Sequence, residues 1–130
     1  MPKVTQIVLT LQSKPGVLAT VCMALADAGV NIEALCAPEA PGGKGRMRLL
    51  VSDAARAEAA LKAAKVRAGK EEAVTLALEN RAGAMAEVAR KLAAAKVNIK
   101  CAYATTAGPG QATVVLTVSN AGKALAALGT

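Results

Sequence analysis

The sequence has no histidine, no phenylalanine and no tryptophan, and its only aromatic residue is Tyr103. Without histidine, the commonest general base and the commonest partner of a nucleophilic Ser or Cys are both missing. Without aromatics on central strands, the base-stacking mode of RNA recognition is disfavoured. Only three cysteines occur, Cys22, Cys36 and Cys101, with no CxxC or CxxH spacing. That count argues against a disulfide framework and a zinc site, and the three read as small buried hydrophobes. No apolar run approaches the roughly 20 residues that span a bilayer. The start "MPKVTQ" is too short and polar for a signal peptide, so a cytoplasmic protein without membrane contact is expected.

What is present is aliphatic and basic. Hydrophobic residues make up 54% of the 130, much of it alanine, and the formal net charge is +7. The core must come from Val, Leu, Ile, Met and Ala. The basic residues are mostly scattered, with two clusters, "KGRMR" (Lys44, Arg46, Arg48) and "KAAKVRAGK" (Lys62, Lys65, Arg67, Lys70). Taken alone, these read as a solvated face.

The chain repeats itself at a constant offset of 67 residues. Gly16 returns as Gly83, Leu9 and Leu11 as Leu76 and Leu78, and Val21 and Leu25 as Val88 and Leu92. "VNI" at Val30–Ile32 returns at Val97–Ile99, and Leu49, Val51 and Ser52 return as Leu116, Val118 and Ser119. A repeat of this kind signals a duplicated structural unit. The expected modules are residues 1–70 and 71–130.

Each copy reads alike. Ile7, Leu9 and Leu11 alternate with Val8 and Thr10, which predicts a strand. After the turn "SKPG", Leu18, Val21, Cys22 and Leu25 form one helical stripe, and Met85, Val88, Ala89 and Leu92 repeat it. Gly29 suits a left-handed helix end. A second strand is predicted over Asn31–Ala37 and Asn98–Ala104. A Gly/Pro turn then leads to a third strand through Met47, Leu49 and Val51. Ser52-Asp53 and Ser119-Asn120 offer N-caps for an Ala-rich second helix. A short fourth strand is expected around Val66, with "EEAV" as a solvated linker; the second copy ends without one. The fold class is therefore α+β, with two tandem ferredoxin-like (βαββαβ) modules. Each has an antiparallel sheet with two helices on one face. The open edge of the second module is expected to be covered.

The ordered set of strand, "KPGVL", amphipathic helix, "AGVNI" and strand–hairpin–strand–helix, present twice, resembles the ACT-domain family. That resemblance implies a regulatory module that binds a small ligand, often an amino acid, at an interface between modules. It places the ligand by the loop from strand 1 to helix 1. In the first copy this points to Ser13, Lys14, Pro15, Gly16, Val17 and Leu18, with Asn31 and Ile32 facing them. In the second it points to Asn80, Arg81, Ala82, Gly83, Ala84 and Met85, with Asn98 and Ile99. The chemistry agrees. The first helical N–H groups lack partners and carry the positive end of the helix dipole, which suits a carboxylate. A glycine lets a ligand approach the backbone, and Asn both donates and accepts. Lys14 or Arg81 adds a cation, and intact Pro-Gly favours the first copy over the second, which has Ala82.

Asp27, Glu33, Glu39 and Asp53 form no catalytic motif, so the protein is expected not to be an enzyme and to need no cofactor or metal. A homodimer is expected from the small module size. The alternative is a basic ferredoxin-like module that binds nucleic acid or another protein.

Overall fold

The computed structural model describes residues 3–12, 14–38, 42–106 and 110–129. Ser13, Glu39 and parts of both Gly/Pro turns lie outside them. The elements run β1 (Lys3–Gln12), α1 (Val17–Asp27), β2 (Ile32–Cys36), β3 (Lys44–Val51), α2 (Ala54–Ala63), β4 (Gly69–Glu79), α3 (Ala84–Ala94), β5 (Ile99–Thr106), β6 (Gln111–Val118) and α4 (Ala121–Ala127). This is the α+β, ferredoxin-like plan that the repeat predicts.

The chain divides into two compact units, Thr5–Glu71 and Glu72–Thr130 with Met1–Val4. In the first, β3 lies between β1 and β2 and is antiparallel to both, with Ile7 opposite Leu49 and Ile32 opposite Val51. In the second, β6 lies between β4 and β5 in the same way, with Val74 opposite Leu116 and Ile99 opposite Val118. Even the irregularities repeat. The register shifts between Ile32 and Ala34 and again between Ile99 and Cys101, a bulge of the kind that twists an edge away from further pairing.

Alternation along the strands decides which side chains enter the core. Ile7, Leu9, Met47, Leu49 and Val51 pack with Val21 and Leu25 of α1 and Ala57 and Leu61 of α2. Val74, Leu76, Val114, Leu116 and Val118 pack with Val88 and Leu92 of α3 and Ala124 of α4. The helical stripe is rotated from its predicted centre. Ala24 packs against the first core, whereas Leu18 is 43% exposed. The cysteines are free and half-buried rather than buried.

All four helices end through a residue with positive φ: Gly29 at 73°, Lys65 at 62°, Lys96 at 59° and Gly129 at 80°. In three of them the next residue is a valine that completes a Schellman motif. The Val30, Val66 and Val97 N–H groups donate to the Leu25, Leu61 and Leu92 carbonyls at 2.9, 2.8 and 2.9 Å. Each valine thereby sits beside the core leucine whose carbonyl it uses. Asp53 and Asn120 cap α2 and α4, accepting from the Arg56 and Lys123 N–H groups at 3.0 and 2.9 Å. The serines before them have another task. Ser52 Oγ accepts from the Asn31 N–H and Ser119 Oγ from the Asn98 N–H, both at 3.0 Å.

Two expectations fail at the join between copies. Val66 is not in a strand; it packs on the first core from a loop. The fourth-strand position of the Thr5–Glu71 unit is taken by the start of β4, Gly69–Glu71, which lies beside β1. Nor is "EEAV" a linker, because it lies within β4. Glu71 accepts from Gln6 Nε2 and from Arg48 Nε, each at 2.8 Å. Gln6 and Arg48 are buried on the face of the sheet opposite the helices, at 0% and 9% exposure. In the other unit, the start of β1 lies beside β4, with Lys3 3.8 Å from Glu72. No strand follows α4 among the described residues.

Candidate functional site

The β1–α1 turn is built by one glycine. Gly16 takes φ 91°, a left-handed conformation at the helix N-cap, and Gly83 takes φ 87° in the second copy. Neither helix has a side-chain cap hydrogen bond. The Lys14 carbonyl accepts from the Val17 N–H at 3.3 Å, and the Gly16 carbonyl accepts from both the Thr20 N–H and the Thr20 hydroxyl at 3.0 Å. A Cβ on Gly16 would meet nothing within 4 Å, so the glycine is required by its φ and not by crowding.

Beside this turn lies a cleft of about 140 Å³, lined by Leu11, Lys14, Val17, Leu18, Pro38 and Met47 among others. Three of the expected residues, Lys14, Val17 and Leu18, are therefore brought together on one concave surface. Pro15 and Gly16 form the exposed turn next to it, and Ser13 lies outside the described residues. The first turn of α1 contains no acidic residue. Among the described residues Lys14 makes no ion pair.

The second copy also has a cleft, of about 290 Å³, at the equivalent turn, with Arg81 and Ala84 in its wall. Its electrostatics differ. Arg81 Nε donates to Glu79 at 2.9 Å, and its Nη2 donates to both carboxylate oxygens of Glu87 at 3.1 and 3.2 Å. Arg81 Nη1 donates to the Ala82 carbonyl at 3.3 Å. Hydrogen bonds to Glu87, then to Glu79, raise the Arg81 pKa above its ordinary value. Glu87 also stands in the first turn of α3, where its charge complements the helix dipole. Lys91, four residues on along α3, is the partner that helix spacing offers Glu87; Arg81 takes that role instead. Glu79 and Glu87, two residues before and six after Arg81, were the signal in the sequence that this cation was already paired. Asn80 is exposed in the turn, Ala82 and Gly83 are exposed, and Met85 packs partly on the core.

Asn31 and Ile32 do not meet Lys14 within their own unit. β1 and β2 are both antiparallel to β3, so they run the same way, and Asn31 lies at the sheet end opposite the turn. Asn31 is tied to Ser52, whereas the end of β1, Gln12, lies opposite Lys44. Eight residue steps along β3 separate Lys44 from Ser52, roughly 26 Å. Asn98 and Ile99 stand in the same relation to Arg81. Ile32 and Ile99 pack partly on the two cores, and the side chains of Asn31 and Asn98 face solvent.

Residues 7–66 match the family model for the AHAS small subunit-like ACT domain. The protein BT0572 from Bacteroides thetaiotaomicron is 32% identical over 97% of this chain and 86% of its own, with a TM-score of 0.89. The chain belongs to the ACT-domain family. The same ACT fold is found in the regulatory subunits of aspartate kinase from Thermus thermophilus and Thermus flavus. These are 20% and 19% identical, with TM-scores of 0.70 and 0.69; each comparison covers 95% of this chain and 89% of the other. No curated protein matches the chain.

Among the described residues, no group of three or more His, Cys, Asp or Glu is arranged to hold a metal ion. No helix among the described residues is long and apolar enough to cross a membrane. Tyr103 lies on β5, which among the described residues pairs with β6 and ends the strand order, and so it is not on a central strand.

Proposed function

We propose that this ACT protein is a non-catalytic regulatory protein that binds a small carboxylate-bearing ligand, an amino acid in the first instance, at the β1–α1 turn of the Thr5–Glu71 unit. One observation carries the choice of turn. The first cleft offers a lysine without an ion pair among the described residues, a helix start without an acid and an apolar wall; the second has its arginine held by two carboxylates. The ligand carboxylate meets Lys14 and the first N–H groups of α1, and its side chain lies against Leu11, Val17, Leu18 and Met47. The family and the regulatory subunits that share its fold support a regulatory role.

The cleft is small beside the roughly 300–1,000 Å³ of most ligand sites. A second copy of the chain then supplies the remaining wall, with Asn31 and Ile32 of the partner subunit against the turn. Leu18, Met23 and Leu35, at 43%, 64% and 40% exposure, give α1 and β2 an apolar surface suited to such a homodimer.

Thermal-shift and calorimetric titration with the twenty amino acids tests this reading. A ligand at 100 times its Kd stabilises the protein by about 2.7 kcal/mol. Lys14→Ala should weaken binding at least tenfold, whereas Arg81→Ala should leave it unchanged. The reading is wrong if no amino acid shifts the transition at millimolar concentration, or if Arg81→Ala costs as much as Lys14→Ala.

A further inference from the structure

The two basic clusters of the sequence, 14 residues apart at their nearest (Arg48 and Lys62), meet in the folded chain. Val8, Thr10, Arg46, Arg67, Lys70 and Glu71 line a cleft of about 370 Å³ in the Thr5–Glu71 unit, with Thr10, Arg46 and Glu71 on the sheet face opposite the helices. Arg46 lies directly opposite Thr10 in the β1–β3 register, so the guanidinium and the hydroxyl share one face. Arg67 comes from the segment that leads into β4, and Lys70 is the second residue of β4.

The charges in this cleft are not balanced internally. Glu71 is its one carboxylate, and it is already bonded to Arg48 and Gln6. Lys70 is paired with the half-buried Glu58 of α2 at 3.5 Å, on the helix side of the sheet. Arg46 and Arg67 have no ion pair among the described residues, whereas Arg48, Arg56 and Arg81 all do. Two of the three arginines without a carboxylate partner among the described residues therefore line this one concavity, Arg67 also bordering a neighbouring cleft beside Lys62 and Lys65. The duplication does not explain them, because Thr10 and Arg46 correspond to Ala77 and Thr113 in the second copy. A neutral pair at those positions is thus compatible with this strand pairing.

We infer that this cleft is a second binding site, separate from the β1–α1 turn, for an oligophosphate group such as a diphosphate or triphosphate. Guanidinium forks match phosphate oxygens in bidentate geometry, and the volume lies within the range of small-ligand sites. The Thr5–Glu71 unit contains no aromatic residue, so there is no platform on which a base can stack. Recognition is of the phosphates, not of a nucleobase.

Calorimetry of the full chain with inorganic tripolyphosphate at fixed ionic strength tests the inference. Saturable binding at one site per chain is expected. Arg46→Thr with Arg67→Ala should weaken it at least tenfold with an unchanged thermal transition. The charge-matched pair Arg90→Ala with Lys123→Ala, in the other unit, should leave it within twofold. A nucleoside triphosphate should bind no tighter than tripolyphosphate. Absence of saturable binding at millimolar tripolyphosphate overturns the inference. So does an equal loss in the control pair, which would mark a net-charge effect. A 20-nucleotide DNA that binds far more tightly than tripolyphosphate, with steep salt dependence, would overturn it in favour of a polymer backbone.

Discussion

Lys96 closes α3 in the left-handed conformation, at φ 59°, a place that glycine occupies in α1. For an L-residue that conformation costs about 1–2 kcal/mol. Glycine removes the cost but brings its own loss of chain entropy on folding, about 0.5–1 kcal/mol. Lysine also contributes a favourable charge at a helix C-terminus, and any substitution that removes the ammonium forfeits it. Comparing Lys96→Gly with Lys96→Ala cancels that charge and isolates the backbone. The glycine variant should be more stable than the alanine variant by about 0.5–1 kcal/mol. In urea unfolding this appears as a higher midpoint at unchanged m, by roughly 0.5 M if m is near 1.5 kcal/mol/M. Gly29→Ala in α1 runs the comparison in reverse. A Cβ there would lie 3.8 Å from Arg56 Nη1, ordinary contact, so its expected loss of similar size is a backbone effect alone. The reasoning fails if Lys96→Gly is no more stable than Lys96→Ala.

Two further outcomes follow from the packing. Leu25 is fully buried and its carbonyl receives the Val30 N–H, so Leu25→Ala should cost about 2–5 kcal/mol in equilibrium unfolding; a loss below 1 kcal/mol would mean that the cavity collapses. Asp53→Ala removes the α2 cap seen at 3.0 Å and should cost about 1 kcal/mol, while Asp53→Asn, which keeps an acceptor, should cost markedly less by the same measurement.

The fold was legible because the duplication presents each pattern twice. Alternation in "IVLTL" and "VTLAL" gave the first strand of each copy, and Asp53 and Asn120 announced the helices that follow. What failed to show is polar and non-local. Gln6, Arg48 and Glu71 satisfy one another across three strands, so each reads as a surface residue when only its own neighbours are considered. The start of β4 was missed for that reason, since "GKEE" has no apolar alternation to mark a strand. The β1–α1 turn itself was legible from the glycine that builds it, Gly16 in one copy and Gly83 in the other. The electrostatic occupancy of Arg81 was missed because it depends on Glu87, six residues away and brought near by the helix. The distance between Asn31 and Lys14 comes from strand direction, which no local motif encodes.

The 67-residue repeat and the compact units are cut from the chain at different points. The Thr5–Glu71 unit ends inside β4, and the other unit begins inside β4 and takes in the start of β1. A fragment ending at Lys70 would keep Arg48 and Gln6 while leaving their shared carboxylate behind. The duplicated half is therefore not a cassette that can be excised at the seam of the sequence. Any boundary drawn for expression, fusion or recombination has to follow the ion pair rather than the repeat.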